Sequence, residues 1–353
     1  MLRRSLLSLA LLFLSACPAP HPGPTPGPTG TPTPAHEKGL EVSQVQAPVL
    51  PAIDFKSQAS TGYVLYQEGA KLSLRTIQGQ TFSAPEVVPV SCDANSQTFL
   101  TPKMAVTPSA LYIAWGRMAK VEDGLRILKK TSSSWTLSKI LPKVAFEFFN
   151  IESDLQGNVY LASFDTTDEG LKVFTPEGKI LHQDRNVSKA FTTAQNEHGA
   201  HFFGRFKRVL ALSMKDGKLS RLEVNPGYVS DPIGLFSPSQ GGYVVAGWSE
   251  YYQEGTGETA KYYPKTLSLL LPSGKKDLFS LTQEDAKSAL PQACPIEVGP
   301  LQGQAYVVQG KLFLELAGKK MSLGPASSLL CRAYSSERTD LLVPGMLTSV
   351  EWK

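Results

Sequence analysis

The chain has 353 residues and a formal net charge of +4, with charged residues making up 19%. So mild a charge, with no long basic block, excludes the electrostatic footprint of a nucleic-acid binder. The length exceeds that of a typical single domain, yet suits a closed all-β architecture.

At the N-terminus Arg3 and Arg4 precede an apolar run from Leu6 to Leu14, broken only by Ser8. A short basic segment followed by about a dozen apolar residues reads as a secretory signal, and falls short of the roughly 20 a spanning helix needs. The run ends in Leu14-Ser15-Ala16-Cys17, which resembles the bacterial lipobox. That resemblance implies that residues 1–16 are a signal peptide and that Cys17 becomes the first residue. Its thiol then takes a diacylglyceryl group and its amine an acyl chain, and three chains make a lasting membrane anchor. The next residue is Pro18 rather than Asp, which by the same resemblance permits sorting to the outer membrane. In a bacterium with a single membrane the protein would face outward.

Residues 17–39 read as a tether. Eight of the seventeen residues from 18 to 34 are proline, alternating with small residues that have nothing to bury. Such a segment favours the extended polyproline form and, at about 3 Å per residue, reaches up to roughly 60 Å. His21 and His36 are solvated linker residues. Beyond Cys17 remain Cys92, Cys294 and Cys331, enough in an oxidising compartment for a single disulfide and a leftover thiol.

From residue 40 onward a hairpin recurs. Apolar runs appear at 62–66 (GYVLY), 111–115 (LYIAW), 159–162 (VYLA), 200–203 (AHFF), 242–245 (GYVV) and 305–308 (AYVV). Each is rich in β-branched and aromatic residues between turn formers, and so predicts a strand. A second series of turn signals follows at Gln78-Gly79, Glu177-Gly178, Asp216-Gly217, Ser273-Gly274 and Ala317-Gly318. Between the two series, EDGLRIL (122–128) matches DEGLKVF (168–174). Only LTQEDAKSAL (281–290) suggests a helix.

A four-stranded unit repeating every 40 to 50 residues predicts an all-β, single β-propeller over 40–353. Six units are clear, and 327–353 holds about three strands. A strand from 40–48 would complete that last unit and close a ring of seven blades by pairing the chain's two ends; six blades is the alternative. In this register Cys294 and Cys331 fall on inner strands of neighbouring blades and form the expected disulfide.

The phrases QTFSAPEVV (80–88), SSWTLSKIL (133–141) and SDLQGNVYLASF (153–164) resemble the repeats of sialidase-like propellers. The Asp-box of that family is absent, so no catalytic residue is implied.

The blade register sorts the charges. Loops after each second strand collect Glu68, Glu122, Asp123, Asp168, Glu169, Glu250, Glu254 and Glu258. The third-to-fourth strand turns, on the other face, collect Lys179, Lys218, Lys275, Lys276, Lys319 and Lys320. An acidic mouth and a basic base are expected. The longest departure from the repeat, 249–265, carries Tyr251, Tyr252, Tyr262 and Tyr263. Tyrosines combine apolar faces with a hydroxyl, which suits a protein surface or a sugar ring; alternatively they pair across an extended hairpin.

Asp54, Glu152 and Glu297 each follow an isoleucine on a first strand. They are candidates to line the central channel, for acid–base work, for a cation, or simply in contact with water. His198 and His201 have a spacing that suits metal poorly on a strand, so no metal site and no cofactor is assigned. Arg117, Arg205 and Arg332 are scattered, and no nucleophile elbow or phosphate loop appears. The resulting reading is a monomeric, lipid-anchored envelope module that binds a protein or glycan, with the membrane contacted through its N-terminal lipid. A glycan-acting hydrolase related to sialidase-like propellers is the alternative.

Overall fold

A computed structural model describes residues 39–353 apart from 92–98, 118–124, 133, 141–145, 155, 166–169, 186, 197–198, 207–208, 216–217, 225–230, 237–243, 272–273, 289–292 and 336. Lys38–Lys353 forms one compact unit. Its described strands make seven antiparallel sheets, each continuous in chain order except the last. The innermost strands are Ala52–Gln58, Phe99–Val106, Phe146–Ser153, Val187–Asn196, Asp231–Phe236, Ala293–Val298 and Leu330–Ser335. Each contacts the next, and the seventh contacts the first, so the sheets form a closed ring, numbered here blades 1 to 7.

The second strands carry the repeated apolar runs, and their composition follows from packing. In blade 1, Val64 and Tyr66 face blade 7, where they meet Leu342 and Leu347. Leu65, between them, joins Met104, Ile113 and Trp115 of blade 2. Side chains alternate across a strand, so burying both faces demands an unbroken apolar run rather than an alternating one. Similar clusters bridge blades 2 and 3, 3 and 4, 5 and 6, and 6 and 7.

The turns follow their local chemistry. Gly79, Gly178 and Gly318 adopt φ of 59°, 86° and 79°, as tight third-to-fourth strand turns require. In blade 1 the outer edge is split into Thr81–Phe82 and Glu86–Ser91 around Pro85. A proline cannot donate to the ladder. The sequence around LTQEDAKSAL gives a short helix, Gln283–Ser288, with the Thr282 hydroxyl accepting from the Asp285 N–H at 3.1 Å.

Blade 7 takes its outer strand from the other end of the chain. Leu40–Gln46 pairs antiparallel with Met346–Trp352, from Leu40 opposite Trp352 to Gln46 opposite Met346. Backbone bonds extend the seam at both ends, Lys353 N–H to Gly39 O at 3.0 Å and Ala47 N–H to Gly345 O at 3.1 Å. Gly299, in the first turn of blade 6, supports this closure by lacking a side chain: a Cβ there would lie 2.4 Å from the Trp352 ring. Cys294 and Cys331 are joined by a disulfide across the innermost strands of blades 6 and 7, with Cα atoms 6.0 Å apart.

Removing Leu40–Gln46 should therefore cost on the order of 5 kcal/mol, comparable to the whole stability of a domain, and expose an aggregation-prone edge. Chemical denaturation of the shortened protein measures it; an unchanged midpoint would mean that the seam is dispensable. Cys331→Ser should cost about 2–4 kcal/mol by the same measurement.

Candidate functional site

The innermost strands are edge strands, and their inward N–H and C=O groups face the channel without a strand partner. Side chains from neighbouring blades take that role. The Asp54 carboxylate accepts from the N–H of Phe55 at 2.9 Å and from the N–H of Met104, on blade 2, at 2.6 Å. The Ser153 hydroxyl of blade 3 donates to the Val106 carbonyl of blade 2 at 2.6 Å. Arg332 Nε of blade 7 donates to Ser57 Oγ of blade 1 at 2.8 Å, and that hydroxyl reaches back to the Ala333 carbonyl at 3.4 Å.

Glu152 forms a salt bridge with Lys56, their side chains 1% and 9% exposed. Lys56 belongs to blade 1 and Glu152 to blade 3, so the pair passes over blade 2. Asp54 and Glu152 thus differ from carboxylates that meet channel water: edge backbone engages Asp54 and a buried lysine engages Glu152. Glu297 is half-buried on the innermost strand of blade 6 and also engaged. Groups held this way serve cohesion better than acid–base exchange, which needs a carboxyl that a substrate can reach. Lys56 was missed by pattern reading, although a lysine in an inner strand, AIDFKSQ, is itself a signal that a partner lies across the ring.

The segment 249–265 folds as a hairpin. Val244–Glu254 and Lys261–Leu271 continue their ladder beyond blade 5, pairing Tyr252 with Tyr263 and Gln253 with Tyr262. The innermost strand stops pairing at Trp248 and the outermost at Thr266, so the hairpin outruns its own sheet. Tyr251, Tyr252 and Tyr263 pack against the cluster of Trp248, Leu281, Ala286 and Tyr306. The Tyr252 hydroxyl donates to the Leu281 carbonyl at 3.0 Å. Tyr262 differs from the other three and stays 62% exposed.

Two ion pairs brace the arm. Lys265 meets Glu250 at 3.0 Å and Lys287, from the helix, meets Glu254 at 2.9 Å. Both lysines also lie over tyrosine rings, Lys265 on Tyr252 and Lys287 on Tyr263. Hydrogen bonds from Lys265 and Thr266 hold the Glu250 carboxyl below its ordinary range; those from Lys287 and Tyr263 do the same for Glu254. These carboxylates are neutralised locally and do not make the mouth acidic. Glu122, Asp123, Asp168 and Glu169 lie outside the described residues, as do Cys92 and His198. Arg117, Arg205 and His201 lie on second strands, of blades 2, 4 and 4.

Because both carboxyls are depressed, the bracing they supply is complete above the ordinary value of 4.5 and fades as pH falls through the lowered values. Protection against amide exchange in 249–265, taken relative to the intrinsic rate at each pH, should therefore fall selectively on acidification from pH 7 to about 3; uniform change across the ring would refute this. Lys56→Met should destabilise the ring by about 3 kcal/mol, because it strands a buried carboxylate. Adding Glu152→Leu should recover most of that loss in denaturation experiments, and a single variant as stable as the parent would show the pair to be idle.

No family model and no curated protein matches the sequence. Among solved structures, the chain is similar to virginiamycin B lyase from Staphylococcus aureus, with a TM-score of 0.52 and 9% identity over 89% of this chain and 99% of that one. A catalytically inactive form of the same lyase, holding quinupristin, superposes equally well, with a TM-score of 0.52. It is also similar to YCF48 bound to a D1 peptide, with a TM-score of 0.51 and 13% identity over 87% of this chain and 94% of that one. At such identities the likeness shows the fold, a β-propeller, and nothing finer.

Proposed function

We propose that the protein is a lipid-anchored β-propeller of the cell envelope that binds a protein or glycan partner through its blade 5 arm. The arm itself carries this reading. A loop without a role would need no scaffold, whereas this one is held by three packed tyrosines, a helix and two ion pairs while Tyr262 remains open. Rigidity before contact lowers the entropy cost of association, and an exposed tyrosine supplies contact area at little further cost. Propellers with ligands in place, the lyase with quinupristin and YCF48 with a peptide, make a binding role reasonable for the same fold. The lipobox-like Leu14-Ser15-Ala16-Cys17 supplies the anchor. The channel carboxylates are absorbed in cohesion, which weighs against placing hydrolysis there.

Two measurements test the reading. Capture from the native envelope should retain a partner with the parent protein and lose it, about tenfold or more, with Tyr262→Ser or with Gly255–Ala260 replaced by a two-residue turn. Both changes spare Tyr251, Tyr252 and Tyr263, so the ring stays folded. Equal capture by all three proteins would exclude the arm. Separately, Cys17→Ser should release the protein from membranes and abolish incorporation of labelled fatty acid; retention of the label would refute the anchor.

A further inference from the structure

We propose that the face of the ring bearing the third-to-fourth strand turns rests on an anionic phospholipid surface. Strand direction defines that face. The chain enters the ring there, at Gly39, beside Lys353. The first described residue of the chain thus lies on this side, opposite the blade 5 arm.

The charges on that side are unequally engaged. Lys179, Lys215, Lys218 and Lys319 are exposed on turns of blades 3, 4 and 6, and none forms an ion pair with a described residue. Among the described carboxylates nearby, Asp277 is occupied by Lys275 and Glu41 and Glu351 by Lys353, while Glu315 stands opposite Lys320 across the blade 6 ladder. Glu177 and Glu337 are engaged as well. The cations left over point outward on one side. On the other face Glu68 stands opposite Lys71 at a strand end, and Glu254, opposite Lys261, is paired with Lys287.

Lysines near a negatively charged leaflet are each weakly attracted, within about a Debye length. Alone, four such contacts hold a soluble domain poorly. A tether of residues 17–38 confines the ring to within roughly 60 Å of the bilayer and raises its effective concentration there, which turns a weak attraction into a preferred orientation. The natural source of that tether is the Cys17 lipid, so this inference rests on the anchor reading.

The test supplies the tether artificially, so the two can fail separately. The ring's ends pair with each other, so the chain from Pro18 onward holds together without its leader. With an N-terminal hexahistidine bound to nickel-chelating lipid, it is placed on vesicles containing about one-third phosphatidylglycerol or on neutral vesicles. Lysine acetylation is then followed by mass spectrometry. Lys179, Lys215, Lys218 and Lys319 should react at least about fivefold more slowly on the anionic vesicles, and Lys71, Lys261 and Lys311 at equal rates on both. The difference should vanish at about 0.5 M salt. Equal labelling on both vesicles, or protection of Lys71, Lys261 and Lys311 instead, would overturn the proposal. Loss of Cys17 acylation in cells would overturn the anchor while leaving this result standing.

Discussion

The structure depends on the fact that neither face of a blade can meet water. Val64 and Tyr66 point one way and Leu65 the other, and all three are buried. A sheet apolar on both sides needs a neighbour on each, and a row of such sheets always leaves two faces exposed unless it closes. Closure by Leu40–Gln46 against Met346–Trp352 removes those faces and gives the last sheet its fourth strand. The disulfide joins the innermost strands of blades 6 and 7, and so ties the C-terminal blade to the rest of the ring.

Closing the ring solves the problem of the faces and creates a second one at the axis. Seven inner edges converge there, each with backbone groups that lack a strand partner. Asp54, Ser57 and Ser153 meet that demand, and the Lys56–Glu152 pair spans from blade 1 to blade 3. Polar groups in the channel thus act as cross-links between blades. That assignment moves the search for a binding surface from the axis to the outer loops.

The fold was legible because its signals are local. A hairpin's apolar run and its glycine turn lie within about 20 residues, and the period repeats them often enough to be recognised. The closing strand was legible from a deficit, since 327–353 is one strand short. The channel was not legible in the same way. Glu152 and Lys56 lie 96 residues apart, and which carboxylate meets which backbone N–H depends on blade twist that no local pattern encodes. Sequence likewise shows four tyrosines in the arm without showing which ring faces the helix covers. Tyr252 and Tyr263, opposite each other on one side of the ladder, pack inward, and Tyr262, one position along, points away. The period-2 alternation separates Tyr262 from Tyr263 once the register is known, whereas Tyr251, next to Tyr252, packs inward beside a register shift between Glu250 and Tyr251.

The position of the arm also has a physical reason. A propeller offers four kinds of connection, and two of them, the second-to-third strand hairpins and the crossings between blades, face away from the chain's entry point. Lengthening a crossing loosens the link between neighbouring sheets. Lengthening a hairpin does not, because its strands continue the ladder they already form, and each added pair satisfies its own backbone groups. Blade 5 extends in this way, and the helix Gln283–Ser288 then covers one side of the extension through Lys287 and the Tyr252 hydroxyl bond to Leu281. An arm built so can vary at its tip without disturbing the ring, while its direction stays fixed by the sheet from which it grows.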